Sequence, residues 1–276
     1  MQTYVVVLVA IAVALLFVLA LLIFLIAPAT ARRKETLCFA SARYAHRGLH
    51  GDGAAENSLT AIKRAADAGY GIEFDVRLSR DGVPVVFHDA TLERVCSVPG
   101  VVSDHTAEEL AHLSLCGTGD GIPTLSAVLE VVGGRVPLLV EIKEDEGESG
   151  VCEAAMELLS KYAGEYIIEG FNPFSVRWFR RRRPEVIRGI LSSGFLRSKK
   201  TRSLKYFLLQ TMMLNFLCRP DFVAYNHKHY SSASLYLCRM LGAPTFAWTV
   251  RSEEEEKLAR EHGFDTVIFE NYIPKD

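Results

Sequence analysis

The feature of the sequence that most constrains its fold is an alternation of short apolar runs with amphipathic helical segments, beginning near residue 42. Nine runs are predicted to be strands: residues 43–46, 71–76, 83–88, 137–143, 166–171, 187–191, 222–226, 245–250 and 266–270. Several of them are apolar along most of their length, which is typical of strands that are covered on both faces of a parallel sheet. The alternation therefore predicts repeated β-α units.

The helical segments between these runs carry recognisable start signals. Thr106 with Glu109, and Ser252 with Glu255, fit the capping box, in which two side chains satisfy free backbone amides of the first turn. Repeated β-α units over about 230 residues suit one TIM-type (β/α)8 barrel better than two smaller domains. A doubly wound open sheet is the alternative architecture.

The N-terminal stretch has a different character. The first 31 residues carry no charge, and residues 4–26 are almost wholly aliphatic. As a helix, this stretch would be about 34 Å long, enough to cross a hydrocarbon core of about 30 Å. A cleaved signal peptide is the main alternative, because Ala27-Pro28-Ala29 resembles a cleavage site. The apolar run is too long for a signal peptide and lacks a basic start, so we predict a transmembrane helix.

The flanks of this helix predict its orientation. Arg32, Arg33 and Lys34 follow it directly and no basic residue precedes it, so the positive-inside rule places the rest of the chain in the cytoplasm. Six scattered cysteines, without a C-x-x-C pair, agree with a reducing compartment. The predicted organisation is a membrane anchor over residues 1–31, a juxtamembrane linker over 32–41 and a barrel domain over 42–276.

Charge excludes one class of partner and raises a question about one segment. A net charge of −2 gives no reason to expect nucleic acid binding, which normally shows a clear basic excess. A local basic cluster, however, flanks the apolar segment 204–218 and overlaps its start; it comprises Arg197, Lys199, Lys200, Arg202 and Lys205. This segment is predicted either to be an outer barrel helix or to lie at the membrane surface that the anchor enters.

Three carboxylates stand out because they lie in otherwise apolar strands. Glu73 and Asp75 occupy positions i and i+2 and so share one face of their strand. Two ionised carboxylates inside a sheet are costly unless something positive compensates them, as a hard divalent cation would. Glu141 and Lys143 share a face at the C-terminal end of another strand, where TIM-barrel enzymes place their chemistry. Solvent-exposed strand ends or simple ion pairs are the alternatives.

Two histidines end further predicted strands. His46 is followed by Arg47, and His88 is followed by Asp89. Paired histidines can serve as base and acid, because small shifts bring their pKa values close to neutrality. The Arg47 guanidinium can hold a phosphate oxygen through its fork of donors. A single histidine is usually structural, but two of them with three carboxylates in one barrel favour a catalytic site.

These residues lie within short motifs whose order and spacing resemble the glycerophosphodiester phosphodiesterase family. The motifs are His46-Arg47-Gly48, Glu56-Asn57-Ser58, Glu73-Phe74-Asp75-Val76, Asp81-Gly82, Val85-Val86-Phe87-His88-Asp89, Ile122-Pro123-Thr124-Leu125, Glu141-Ile142-Lys143, Phe171-Asn172-Pro173 and Trp248-Thr249-Val250. The resemblance covers essentially everything after the predicted anchor. It implies a TIM barrel that hydrolyses a glycerophosphodiester to sn-glycerol 3-phosphate and an alcohol.

The resemblance also implies roles for individual residues. Glu73, Asp75 and Glu141 would bind one divalent cation, Mg²⁺ or Ca²⁺. His46 and His88 would be the acid–base pair of the reaction.

Three further residues would bind the substrate. By the same resemblance, Arg47 and Lys143 would neutralise the phosphate and Trp248 would line the pocket.

Two other functions remain open. The anchor and the segment 204–218 would suit hydrolysis of a membrane lysophospholipid, a lysophospholipase-D-type activity. The chain could also be a non-catalytic module that binds lipid headgroups at the membrane.

The sequence departs from the family pattern at a few positions. Ala55 replaces a proline before Glu56, and Ser58 replaces a common threonine. Glu270 occupies the place of the aspartate in a familiar Ile-Thr-Asp block. We expect these positions to affect loop geometry and substrate fit and to lie outside contact with the catalytic residues.

Overall fold

The structure, a computed structural model, describes residues 2–144, 150–197 and 201–275. The strands of this part are β1 Tyr44–His46, β2 Gly71–Leu78, β3 Pro84–Val86, β4 Leu138–Ile142, β5 Tyr166–Gly170, β6 Arg188–Ser192, β7 Phe222–Asn226, β8 Thr245–Val250 and β9 Thr266–Phe269. The α-helices are α1 Gln2–Ile26, α2 Arg33–Phe39, α3 Leu59–Asp67, α4 Glu93–Cys96, α5 Ala107–Ala111, α6 Leu125–Val132, α7 Gly150–Leu159, α8 Pro173–Arg182, α9 Leu204–Gln210, α10 Asn215–Cys218, α11 Ala233–Met240 and α12 Glu253–Glu261.

Eight of these strands form a closed parallel barrel in the order β1, β2, β4, β5, β6, β7, β8, β9. Closure is completed by β1, which pairs in parallel with β2 on one side and with β9 on the other. Helices connect successive barrel strands on the outside, as in a TIM-type (β/α)8 barrel. The predicted fold is therefore confirmed, and the open-sheet alternative is wrong because such a sheet would leave two edge strands.

One predicted strand runs in the opposite direction to the barrel strands. β3 pairs antiparallel with the last residues of β2, with Val86 opposite Val76 and Pro84 opposite Leu78. Because β2 continues past its neighbours, the reversed strand returns the chain to the barrel rim, where the Phe87 amide donates to the Asp75 carbonyl at 2.9 Å. His88 therefore approaches the rim from outside. It does not end a parallel barrel strand, which differs from the position predicted from the sequence.

Buried side chains of the barrel interior and the helix α2 close the N-terminal end of the barrel. Large side chains fill this end of the interior, among them Tyr44, Phe222 and Phe246, all fully buried. Leu37 of α2 packs against this cluster, and Arg32 forms a 2.6 Å ion pair with the buried Asp221. Residues 32–41, the predicted linker, thus contain a helix that contacts the barrel.

The first helix matches the length and composition of a membrane span. An 18-residue stretch within Thr3–Ile26 has a mean hydropathy of 3.5, and the helix carries its apolar side chains outward, with residues 3–21 exposed. An N-terminal signal sequence would share these properties. Only the end of α1 packs against the rest of the protein: Ile26 is buried, and its carbonyl accepts a hydrogen bond from Asn215 at 2.9 Å.

The apolar segment 204–218 folds as two short helices, α9 and α10, instead of one. Met212 separates them with a backbone φ of 53°, a left-handed conformation that cannot continue a helix. α10 packs inward, with Asn215 and Cys218 buried, whereas α9 exposes Leu204 and Phe207. The outer-helix interpretation fits α10, whereas the membrane-surface interpretation stays a prediction for α9. Lys199 and Lys200 of the basic cluster lie outside the described residues.

Candidate active site

Three buried carboxylates meet at the C-terminal end of the barrel. Glu73 and Asp75 point to the same side of β2, and register pairing places Glu141 of β4 directly opposite Asp75. Side-chain oxygens of the three residues lie within 4.8 Å of one another, and each residue is at most 6% exposed. The three carboxylates therefore form one cluster, as their positions in the predicted strands indicate.

The charges of this cluster are only partly compensated. Burial, together with repulsion from Asp75 and Glu141, raises the pKa of Glu73 well above its usual value. Burial also raises the pKa of Glu141 to about 7. Three converging carboxylates, of which Glu73 and Glu141 resist ionisation, offer only oxygen donors and fit a hard divalent cation such as Mg²⁺ or Ca²⁺. These residues would hold the cation that the sequence predicts.

Lys143 supplies one positive charge to the cluster. Its Nζ lies 2.6 Å from Glu141 Oε1 and 3.0 Å from Asp75 Oδ1. Burial tends to raise the pKa of Asp75, but the charges of Lys143 and Arg47 outweigh it and lower that pKa strongly. The ion pair that the sequence analysis gives as an alternative to a metal site is thus present. It adds to the carboxylate cluster without neutralising it.

The turn after β1 positions Arg47 beside the carboxylates. Arg47 and Gly48 have φ values of 57° and 79°, and a Cβ on Gly48 would lie 2.7 Å from the Ala61 carbonyl carbon. Glycine is therefore required there. This backbone conformation lets the Arg47 amide donate to Glu73 Oε2 at 3.0 Å, while Arg47 Nε lies 3.2 Å from Asp75 Oδ2.

His46 stands at the edge of the same cluster. Its Nε2 lies 3.9 Å from Glu73 Oε2, and its Nδ1 forms a 2.9 Å hydrogen bond with Glu270 Oε2. Burial lowers the pKa of His46 below its usual value, against the opposing effect of Glu270, so the neutral ring is favoured at neutral pH. The expectation that Glu270 makes no contact with the catalytic residues is wrong.

His88 has a comparable environment on the other side. Its Nδ1 lies 2.5 Å from Asp89 Oδ1, and Asp89 in turn pairs with Arg94 Nε at 2.5 Å. The backbone carbonyl of His88 accepts a hydrogen bond from Arg77 Nε at 2.8 Å, which fixes the backbone at this position. Burial lowers the pKa of His88, although the nearby charge of Asp75 raises it. Both histidines therefore engage a carboxylate through Nδ1, which leaves Nε2 as the nitrogen suited to exchange a proton with substrate.

Trp248 lies beside this group through an aromatic neighbour. Its ring packs edge-on against Phe171, with the centroids 5.6 Å apart, and Lys143 Nζ lies 5.8 Å from the Phe171 centroid. Among the described residues, Trp248 Nε1 is buried without a hydrogen-bond partner. The structure thus brings the eight sequence-predicted site residues to one end of the barrel.

Comparison with known proteins identifies the family. The model of the glycerophosphoryl diester phosphodiesterase family matches residues 46–273, which include all of these side chains. The chain belongs to this family. Membership makes it an enzyme of the glycerophosphodiester phosphodiesterase class.

Individual relatives agree with the family assignment. A glycerophosphodiester phosphodiesterase of Caldanaerobacter subterraneus is 31% identical over 237 residues, covering 81% of this chain and 91% of the relative. Glycerophosphodiester phosphodiesterase 1 of Homo sapiens is 26% identical, with coverage of 83% and 77%.

Solved structures give the same answer for the fold. An Oleispira antarctica phosphodiesterase in complex with the product sn-glycerol-3-phosphate superposes with a TM-score of 0.68 at 25% identity, covering 84% of this chain and 94% of that one. The Thermotoga maritima glycerophosphodiester phosphodiesterase gives 0.63 at 27% identity, with coverage of 83% and 93%.

Several residues next to the phosphodiesterase site are not predicted from the sequence. Glu169 of β5 is 1% exposed and lies opposite Glu141 in the strand register. Burial and the charge of Glu141 raise its pKa well above the usual value. A carboxylate within the apolar run of β5 is the same signal that identifies Glu73, so this residue could have been found.

Other missed residues form a network around the predicted ones. Asn57 donates to Asp75 Oδ2 at 2.8 Å. Glu56 accepts from Arg47 at 2.7 Å and from Arg94 at 2.7 and 2.8 Å. Glu56 and Asn57 lie in a motif that the resemblance includes, but nothing in the sequence indicates Arg94, which reaches Glu56 across 38 positions.

Proposed function

We propose that this enzyme hydrolyses glycerophosphodiesters to sn-glycerol 3-phosphate and an alcohol in a reaction that requires one divalent cation, as a step of lipid metabolism. The observation that carries the proposal is the buried cluster of Glu73, Asp75 and Glu141 with His46 at its edge. The relative from Oleispira antarctica, which binds sn-glycerol-3-phosphate as product, supports the choice of substrate.

The described side chains account for the steps of such a hydrolysis. A bound Mg²⁺ or Ca²⁺ would supply positive charge to stabilise the phosphoryl oxygens. Lys143 and Arg47 add positive charge and hydrogen-bond donors for the phosphate, which favours the more negative transition state. One of His46 and His88 accepts the proton of the attacking hydroxyl, and the other protonates the leaving oxygen.

The carboxylates behind the histidines support this assignment. Glu270 holds the Nδ1 of His46 and stabilises the positive charge that the ring acquires when it takes a proton. Asp89 does the same for His88. Trp248, next to Phe171, would bound the pocket on the side of Lys143 and restrict the orientation of the substrate.

The same proposal includes a location. Residues 1–31 would anchor the enzyme in the membrane as a single span, and the barrel domain, residues 42–276, would face the cytoplasm. The length of Thr3–Ile26 and the basic residues Arg32, Arg33 and Lys34 support this topology. A reporter that is active only in the cytoplasm should be active when it is fused to the C-terminus. Activity of a reporter that works only outside the cytoplasm would contradict this orientation.

Purified full-length protein tests the catalytic part. We expect sn-glycerol 3-phosphate to be released from glycerophosphocholine, to be abolished by EDTA and to return with Mg²⁺ or Ca²⁺. Glu73→Gln and His46→Ala should each remove activity while the thermal melting temperature stays close to the unmodified value. Glu261→Gln, on the exposed end of α12, is the matched control. The absence of turnover with any divalent cation would favour a non-catalytic headgroup-binding module.

A further inference from the structure

A second group of potential metal ligands lies beside the carboxylate cluster, and it contains two histidines. His46, His50 and Glu270 each offer one ligand atom, and these three atoms lie within 4.8 Å of one another. The His46 ring stands between the two groups, because its Nδ1 lies 2.9 Å from Glu270 Oε2 while its Nε2 lies 3.9 Å from Glu73 Oε2. A cation bound by the second group would therefore meet His46 at Nδ1.

Closure of the barrel brings two of these ligands together. His46 ends β1, Glu270 directly follows β9, and the two strands pair in parallel. Because parallel strands end at the same edge of a barrel, both side chains reach the C-terminal rim. Each of the two is 15% exposed, so an ion can reach them although most of their surface is shielded from water.

The turn after β1 returns the third ligand, His50, to the same edge. The His50 amide donates to the Gly48 carbonyl at 3.0 Å, and Gly51 and Ala54 exchange two backbone hydrogen bonds of 2.8 and 3.0 Å. Arg64 of α3 also donates to the Gly51 carbonyl at 2.9 Å. The backbone around His50 is therefore held in place. Within the part of the chain that the structure describes, no hydrogen bond or salt bridge engages its imidazole ring.

A cavity gives a cation access to this group. It has a volume of about 540 Å³, and its lining includes His50 and Glu270 together with Asp52, Arg64 and Tyr272. A hydrated ion fits easily into such a volume, since one water molecule occupies about 30 Å³ of the liquid. An ion can thus approach the second group from the side that faces away from the carboxylate cluster.

The donor atoms of this group differ in kind from those of the carboxylate cluster. Imidazole nitrogens suit Zn²⁺ and other transition-metal cations, whereas carboxylates alone suit Mg²⁺ and Ca²⁺. Two histidines and one glutamate form a zinc ligand set that leaves the fourth tetrahedral position to water. At bond lengths of about 2.0–2.2 Å, tetrahedral ligand atoms lie about 3.3–3.6 Å apart. Separations of at most 4.8 Å therefore need only small side-chain rotations to reach this geometry.

Positive side chains nearby leave room for such a cation. Arg251 Nη2 lies 3.1 Å from Glu270 Oε2, but the Arg251 side chain is 48% exposed and can turn into solvent at little cost. Arg64, on the cavity wall, is tied to the Gly51 carbonyl. Glu270 Oε1 accepts one long hydrogen bond, from Asn271 Nδ2 at 3.3 Å. This oxygen is thus accessible to a metal ion even while Oε2 keeps its partners.

We propose that His46, His50 and Glu270 form a second metal site, which binds Zn²⁺ or a similar transition-metal cation and inhibits the enzyme when it is occupied. The bound cation takes the lone pair of His46 Nδ1, and the single N–H of the neutral ring then lies on Nε2. Nε2 has no lone pair left to accept the proton of the attacking hydroxyl. The inhibition rests on the proposed catalytic role of His46, whereas the binding of the cation does not.

Metal titration of the full-length protein tests the site without measuring activity. Co²⁺, which replaces Zn²⁺ in tetrahedral sites and absorbs visible light, is added in saturating Mg²⁺, so that the carboxylate cluster is occupied. We expect saturable binding with a tetrahedral Co²⁺ spectrum that Zn²⁺ displaces. His50→Ala should weaken this binding by more than about tenfold, since even the loss of a group behind a ligand costs about 10- to 100-fold. His112→Ala, at an exposed histidine outside the group, should leave it unchanged.

A thiolate in place of the imidazole separates loss of a ligand from loss of structure. His50→Cys keeps a zinc ligand at this position, so it should retain Co²⁺ binding and add the near-ultraviolet charge-transfer band of a cobalt–thiolate bond. Equal Co²⁺ affinity in His50→Ala and the unmodified protein, or a His50→Cys variant without this band, would overturn the proposed site.

Inhibition is measured as the rate of glycerophosphocholine hydrolysis with Zn²⁺ divided by each variant's own rate without it. In saturating Mg²⁺, Zn²⁺ should lower the rate of the unmodified enzyme at least tenfold, and further Mg²⁺ should not restore it. His50→Ala should keep most of its rate at the same Zn²⁺ concentration. Relief by Mg²⁺, or equal inhibition of His50→Ala, would place Zn²⁺ at the carboxylate cluster and overturn the inhibitory role. No hydrolysis by the zinc-free enzyme would contradict the proposed function, while the Co²⁺ titration still decides whether the second site exists.

Discussion

The contact between Glu270 and His46 allows a quantitative prediction for the Glu270→Gln variant. Glu270 Oε2 lies 2.9 Å from His46 Nδ1, and both side chains are only 15% exposed. Glutamine keeps the size and can still accept a hydrogen bond, but it removes the negative charge that faces the ring. The substitution therefore tests the charge separately from the shape.

The expected loss follows from the strength of such a bond. A hydrogen bond to a charged group contributes about 1.5–3 kcal/mol, and the low exposure of this pair leaves little screening by water. If that energy is realised when His46 becomes positive in the transition state, kcat falls by about 10- to 150-fold. The thermal melting temperature should change little.

The pH profile gives a second readout. Burial lowers the pKa of His46, and Glu270 acts in the opposite direction. Loss of the Glu270 charge therefore lowers the pKa of His46 further. If neutral His46 is required, the acidic limb of the kcat/KM profile moves to lower pH in Glu270→Gln.

The assay is glycerophosphocholine hydrolysis followed by release of sn-glycerol 3-phosphate between pH 4 and 9, with Glu261→Gln as the control at an exposed carboxylate. A rate within twofold of the unmodified enzyme, together with an unchanged acidic limb, would refute the positioning role of Glu270. A loss of rate accompanied by unfolding would be followed with Glu270→Asp, which should restore part of the activity.

Three further predictions concern other parts of the structure. Glu73→Gln should abolish measurable binding of Mg²⁺ or Ca²⁺ in isothermal titration calorimetry; unchanged affinity would exclude Glu73 as a ligand. Glu169→Gln should retain activity within about threefold and stability within about 1 kcal/mol, because burial raises the pKa of Glu169 and so favours its neutral form; a large loss of either would show that its charge is needed. Arg32→Ala should lower the free energy of unfolding by about 1–3 kcal/mol, because Asp221 loses a buried partner, and urea unfolding with no change would contradict that account.

The parts of the site that follow from local periodicity were predictable. Glu73 and Asp75 share a face because side chains alternate along a strand, and Glu141 joins them because parallel strands end at one edge of the barrel. The barrel itself follows from the alternation of strands and helices, with strand bounds that differ from the observed ones by a few residues.

The remaining features depend on which segments become neighbours. Glu270 reaches His46 only because β9 closes the barrel against β1, across more than two hundred positions of sequence. The reversal of β3 leaves no local trace, since a short apolar run suits either direction of pairing. The break at Met212 likewise lies inside a continuous apolar segment, without a proline or glycine to indicate it.

We propose that Glu73, Asp75 and Glu141 hold the divalent cation that hydrolysis of a glycerophosphodiester requires. The most direct test is the release of sn-glycerol 3-phosphate from glycerophosphocholine by the full-length enzyme, first metal-depleted with EDTA and then titrated with Mg²⁺ or Ca²⁺. We expect no product without metal, and a saturable return of activity that Glu73→Gln lacks. Equal product release by the depleted enzyme, or none after either metal is restored, would show that these carboxylates do not hold a required cation.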